Sequence, residues 1–298
     1  VITKEATKAA PAPAPAVPEP PRPAKRRRAW DEAPRWQIYL PLGVYLVFTL
    51  IPFYWILLFA LRPAGSTSLV PWPMTTAHFE KVWTDRGFGT FFQNSVLVGV
   101  ATLFMTTLVA LAGGYALARF DFRVKRGFML ALLCSQFVPG ALLLVPLFEI
   151  FAELRMINSL CSVIIAETVF QLPLSMILLS NFIKNVPYSL EEAAWVDGCN
   201  RFRAFRVVVL PLLRPGLIAV GSFAFVHSWN HFLFALMFLN NQEKQTVPVG
   251  LNTLMSADSV DLGALAAGGI IAAVPVVIVF AFIQKWLITG FSAGAVKG

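Results

Sequence analysis

Six stretches of this sequence lack charge over the length needed to cross a bilayer. Residues 36–61, 87–118, 127–148, 215–239 and 262–284 contain no Asp, Glu, Lys or Arg, and residues 156–183 contain one, Glu167. A helix crossing hydrocarbon needs about 20 apolar residues. With no water in that layer, the backbone must satisfy its own hydrogen bonds, which leaves only helices or a closed barrel; weak period-2 alternation disfavours the barrel. The pattern predicts an all-α membrane protein with six transmembrane helices. Composition agrees, since 13% of residues are charged against about 25% in ordinary soluble domains.

The Lys/Arg bias of the connections sets the orientation. The two ends and the links between spans 2–3 and 4–5 carry 19 basic residues; the other three links carry 5. Both termini are therefore expected in the cytoplasm. The net charge of +8 becomes a topogenic signal, and no nucleic-acid partner is expected. Residues 1–35 are Pro/Ala-rich and basic, with runs such as PAPAPAVPEPPRP, too poor in core-forming side chains to fold alone. They are expected to form a disordered cytoplasmic tail ahead of a six-helix domain over 36–298. Lys25–Arg28 reads as a positive-inside stop or as a contact for anionic membrane lipid. Cys134, Cys161 and Cys199 are odd in number and show no CxxC spacing, so neither a disulfide framework nor a zinc site is signalled. No internal repeat relates the two halves, which suggests that another chain completes any path.

The link 184–214 has a helical grammar of its own. Ser189 and Glu192 have capping-box spacing, predicting a helix over 190–197 that ends at Gly198. Ala194 and Gly198 leave a small-residue face for close approach. Residues 201–209 (RFRAFRVVV) resume a helix, which Leu210-Pro211 is expected to end. Physics alone leaves two readings open: an amphipathic hairpin on anionic lipid, or a docking element.

Glu192-Ala193-Ala194, three residues, Gly198, nine residues, Val208, one residue, then Leu210-Pro211 resembles the EAA signature of permease subunits of binding-protein-dependent ABC importers, with Val208 where isoleucine is usual. YALARFDF (115–122) at the close of span 2, VPG (138–140) in span 3, WNHFLFALMFL (229–239) in span 5, TVPVGL (246–251) in the last outer loop and GFSAGAVKG (290–298) are similar to the carbohydrate branch, in particular the maltose-type second permease. The resemblance covers about 36–298. It implies the type I importer fold, a place in the bacterial inner membrane, and alternating-access import of a carbohydrate. The implied partners are a second homologous permease, a dimer of ATPase subunits and a solute-binding protein. The 184–214 link would dock on the ATPase through Glu191, Glu192, Ala193, Ala194, Asp197, Gly198, Leu210 and Pro211. Glu192 has a rival role in capping its own helix. The run 293–298 would reach toward the ATPase, and residues 62–86 and 240–262 would meet the binding protein.

No Gly-Lys pair exists, so the chain lacks a phosphate-cradling P-loop. No HExxH is present. No resident cofactor is expected; ATP and Mg would belong to the partner, and the chain is expected to be a transport subunit rather than an enzyme. The candidates for the substrate path are polar residues in the spans. Glu167 costs about 2.5–3.5 kcal/mol if ionised in hydrocarbon, so it should pair, face a wet cavity or be protonated. His227, Asn230 and His231 share a helical face, with Trp229 beside them. Gln136 and Gln171 lie near Pro139 and Pro173, which free backbone partners. Two histidines at i, i+4 are too few for zinc. Glu167 with the histidines also fits a proton relay in a secondary transporter, and a non-sugar solute is a further alternative.

Overall fold

The computed structural model describes residues 35–255 and 261–295, with 285–295 by backbone course alone. The tail expected over 1–35 lies, apart from Arg35, outside the described residues. The chain divides into two compact units, residues 1–51 and 52–298, and the boundary falls within the first helix. That helix, α1 (Arg35–Leu61), is apolar on every side, as a helix in lipid can be.

Within the second unit the chain runs through a short α2 (Ala77–Glu80) and π turn Lys81–Asp85 into α3 (Phe88–Arg119). Next come α4 (Lys125–Ser135), a 3-10 turn Gly140–Leu143, α5 (Leu144–Glu153) and α6 (Leu160–Lys184). The 184–214 link holds α7 (Tyr188–Val196), α8 (Arg201–Ala204), π turn Phe205–Val209 and α9 (Leu210–Leu212). Then follow α10 (Arg214–Asn230), α11 (Leu233–Phe238), a 3-10 turn Gln242–Lys244, α12 (Val247–Met255) and α13 (Leu262–Ala295). No strand occurs among the described residues.

Among the described residues four helices are long and apolar enough to cross a membrane, within α1, α3, α6 and α13, or six if each of two bent pairs counts as one span. The expected span 127–148 is broken: Lys125–Ser135 and Gly140–Glu153 meet at 94°. Pro139 causes the break, because its ring pushes the preceding residue out of the α region and its own ψ is 126°. VPG therefore marks a corner, not a helix interior. The fifth span also differs. Instead of running over 215–239, α10 stops where His231 turns extended at ψ 123°, and at its other end it bends by 74° from the 201–212 segment.

α3, α6 and α10 pack together at the centre, with α13 against α10. The buried face of α3 is a stripe of small and hydroxyl residues: Ser95, Gly99, Thr102, Thr106, Ala110 and Gly114. Lipid gives no hydrophobic drive between helices, so small residues let backbones approach and gain dispersion contacts. At Gly114 a Cβ would come within 3.1 Å of Ser180 N and 3.2 Å of Met176 O. There α3 lies on the backbone of α6.

The expected polar loop 240–262 is partly core. Val247, Val249 and Leu254 of α12 are buried, and the ring of Phe91 fills the space a Cβ on Gly250 would need, 2.2 Å away. Ser95 Oγ accepts the otherwise orphaned Val247 N–H at 2.8 Å, and Pro248 sits in the first turn, where no N–H is required. α13 continues past 284 through Ala295, so residues 293–295 of the expected flexible run are helical; 296–298 lie outside the described residues.

Candidate functional site: the EAA segment and a polar cavity

α7 begins two residues earlier than its capping-box reading. Pro187 is the N-cap, with ψ 129° and no side-chain cap bond, and Leu190 N–H donates to Pro187 O at 3.2 Å. Ser189 is consequently helical and makes no box with Glu192. The end of α7 matches expectation. Cys199 N–H donates to Ala194 O at 2.9 Å and Gly198 N–H to Trp195 O at 3.0 Å, the paired bonds of a Schellman motif. Gly198 has φ +86°, and a Cβ there would meet nothing within 4 Å, so glycine is needed for its backbone freedom and not for space.

The acids of α7 divide between two faces. Glu192, Ala193, Asp197 and Gly198 are exposed, and so is Val196. Ala194 is buried, and so, completely, is Glu191. Glu191, expected to meet a partner's basic group, instead bonds inside the chain. Its Oε1 accepts from Arg119 Nε at 2.6 Å and its Oε2 from Tyr115 Oη at 2.7 Å. Arg119 Nη2 also donates to Val186 O at 2.9 Å. Sequence spacing could not find this pairing, because the partners lie 72 and 76 residues away.

Asn200 restarts the chain, its side chain accepting Arg203 N–H at 2.8 Å. Arg201 stacks over Trp195 at 5.4 Å, while Arg203 and Arg206 are exposed. Leu210-Pro211 does not end this helix. The π turn Phe205–Val209 precedes it, Pro211 stands in the first turn of α9, and the bend comes at Leu213. Leu210 is half-buried and Pro211 exposed.

Inside the bundle, Glu167 of α6 is buried and accepts a hydrogen bond from Ser228 Oγ of α10. Its other oxygen lies 3.7 Å from His231 Nδ1. The His231 ring stacks on His227 at 5.5 Å and on Phe234 at 4.5 Å between centroids. Both histidines line a cavity of about 190 Å³ together with Ser135, Gln136, Phe170 and Phe234. The corner at Pro139 and the end of α10 at His231 form its walls. Gln136 Nε2 reaches Phe170 O at 3.5 Å. The structure thus brings Gln136, His227 and His231 together, with Glu167 behind His231.

Three other candidates lie elsewhere. Trp229 is core: it stacks on Phe225, meets Phe92 edge-on, and donates Nε1–H to Ala272 O at 2.9 Å. Asn230 bonds back to Val226 O at 2.8 Å and opens, beside Trp229, onto a separate cavity of about 390 Å³ against α12 and α13. His227 and Asn230 stay on one helix, α10, but open onto different cavities. Gln171 is buried with both amide atoms unpartnered among the described residues and does not line the histidine cavity. Ser228 went unnoticed in the sequence; the only signal was that a buried acid needs a donor. Ser135, Phe170 and Phe234 carry no such signal. Among the described residues no cluster of three metal-ligating side chains occurs.

The multi-pass α-helical bundle and the exposed surface of α7 fit a membrane transport permease. Residues 108–292 match the family model described as "binding-protein-dependent transport system inner membrane component", and the chain belongs to that family of inner-membrane permease subunits. It is 34% identical to the diacetylchitobiose uptake system permease protein DasC of Streptomyces coelicolor over 262 residues, 86% of this chain and 94% of the relative. It is 33% identical to the arabinooligosaccharides transport system permease protein AraQ of Halalkalibacterium halodurans, over 76% of this chain and 81% of the relative. Its fold matches a chain of a bacterial ABC transporter involved in the import of the acidic polysaccharide alginate. That match has a TM-score of 0.71 at 20% identity and covers 85% of this chain and 98% of the other. Gly290-Phe291-Ser292-Ala293-Gly294 has the G-x-S-x-G spacing of a hydrolase nucleophile elbow. It lies within the continuous helix α13, without the strand-to-helix turn that such a site needs.

Proposed function

We propose that this chain is one permease subunit of an ATP-driven, binding-protein-dependent importer that carries a carbohydrate inward by alternating access. The observation that carries the reading is the surface of α7: Glu192, Ala193, Val196 and Asp197 stand exposed on a helix whose opposite side is fastened to the bundle through Glu191. An exposed small residue flanked by acids suits a cleft in a partner with basic rims. The partners are a second homologous permease, a pair of cytoplasmic ATPase subunits that bind ATP and Mg, and a solute-binding protein on the opposite face. The 19-to-5 distribution of basic residues supports placing both termini on the ATPase side. Relatives whose names specify diacetylchitobiose and arabinooligosaccharides support a saccharide as cargo.

The cavity of Gln136, His227 and His231 contributes polar contacts along the path. It combines an amide, two imidazoles and the faces of Phe170 and Phe234, which suits hydroxyl groups and the apolar faces of sugar rings. The test is reconstitution of the full assembly in vesicles with binding protein and labelled oligosaccharide. Uptake should require ATP inside the lumen equivalent to the cytoplasm, and Ala193→Trp should abolish ATPase attachment while leaving the permease pair intact. Uptake that persists without ATP and collapses with the proton gradient would overturn the proposal.

A further inference from the structure

The Arg119–Glu191 pair joins the membrane bundle to α7, and the transport reading above does not require it. Both partners are withdrawn from solvent, with side chains 8% and 1% exposed. A buried pair of this kind adds little net stability over an apolar replacement, because desolvating two charges offsets their attraction; what it supplies is fixed geometry. The geometry here is unusually restrictive. Each carboxylate oxygen of Glu191 has its own donor, and the two donors come from residues 115 and 119, one turn apart on α3. The same guanidinium holds Val186 O, directly ahead of the Pro187 cap. A side chain held at both oxygens, with the chain before it held as well, cannot pivot.

Two further contacts extend the arrangement. The Tyr115 ring packs edge-on against Phe205 at 5.0 Å, tying in the second half of the link. Gly114, next to Tyr115, rests on the backbone of α6, the helix that carries Glu167. A continuous packed route therefore runs from α7 through the end of α3 to α6 and the polar cavity.

We propose that Arg119, Glu191 and Tyr115 are positioning residues forming a strut that makes α7 and the end of α3 move as one body. Displacement of α7 by its partner then reaches the α3–α6 pair instead of being absorbed in the short connection 185–187. The strut rests on the reading of α7 as the ATPase-facing element.

The test uses the complete assembly in vesicles, with Glu191→Gln, Arg119→Gln, the double variant, and Tyr115→Phe. The two glutamine variants should assemble and keep basal ATP hydrolysis, but lose about tenfold of the stimulation by loaded binding protein, with fewer solutes moved per ATP. The double variant should be no worse than either single one, the mark of a shared interaction. Tyr115→Phe keeps the ion pair and should retain most of the coupling. A second measurement does not depend on variants that weaken the pair: spin labels at Leu190→Cys and Phe120→Cys, with the three native cysteines replaced by serine, should keep one separation through the ATP cycle. Glu191→Gln with full stimulated uptake, additive single effects, or a label separation that changes during the cycle would each overturn the strut. If the unaltered assembly failed to couple uptake to ATP, the transport reading would fall and the strut with it.

Discussion

Two buried acids, Glu191 and Glu167, occupy opposite kinds of site. Glu191 has a charged partner at 2.6 Å and a hydroxyl at 2.7 Å, one on each oxygen. Glu167 has a serine on one oxygen and a histidine 3.7 Å from the other, and that histidine lines the polar cavity. A carboxylate with a donor on each oxygen fixes a backbone arrangement, whereas one whose second oxygen faces a cavity-lining histidine keeps capacity for a further partner. Under the proposed function, the difference separates a region proposed to transmit load from one proposed to contact cargo.

The largest expected effect comes from breaking the satisfied acid outright. Glu191→Ala leaves Arg119 buried without its anion and should destabilise the chain by about 3–5 kcal/mol, read as a drop in thermal unfolding temperature in detergent. Glu167→Gln should leave assembly intact, because the amide still offers Ser228 an acceptor. Uptake should fall about tenfold, the equivalent of about 1.4 kcal/mol. Unchanged uptake would remove the contrast between the two acids. Gly198→Ala tests the end of α7 without touching either acid. Holding alanine in the left-handed region costs about 1–2 kcal/mol, which should appear as faster amide exchange at Gly198 and Cys199 and a modest loss of coupled uptake.

The smallest effect concerns a third acid, Asp261, which is neither fully buried nor beside the cavity. It caps α13 by accepting Ala264 N–H at 3.0 Å and pairs with Lys81 at 2.9 Å. These interactions, the backbone bond foremost, hold its carboxyl below the usual carboxylate range. A carboxyl whose folded pKa is depressed adds stability above its unfolded value of about 3.9 and loses it as pH falls through the folded value. Exchange at the start of α13 should therefore rise only in strong acid, and Asp261→Asn should weaken the response.

Motifs that depend on neighbours in the chain were legible in the sequence. The charge-free windows located the membrane segments, the EAA spacing located α7, and Gly198 was read correctly as its left-handed end. Features set by distant residues were not legible. Glu191 looks as exposed as Glu192 until Arg119 is brought beside it, and Ser189 looked like a cap because Pro187 could equally stand outside the helix or begin it. The windows 127–148 and 215–239 read as straight spans because hydropathy registers composition and not backbone direction; the corner at Pro139 and the turn at His231 lie inside equally apolar runs. Those two interruptions form the polar cavity, so the part of the candidate site hardest to see in the sequence is the part made by broken helices. Of the residues named for the path, Gln136, His227 and His231 meet there, whereas Trp229 and Asn230, on the same helix as His227, face α12 and α13.

α3 runs without interruption over 32 residues, about 48 Å at 1.5 Å per residue. Near one tip Ser95 grips the start of α12; at the other, Tyr115 and Arg119 grip α7. Between them the small-residue stripe packs closely on α6 and α10. A stiff helix held in this way at both ends ties the position of α7 to that of α12.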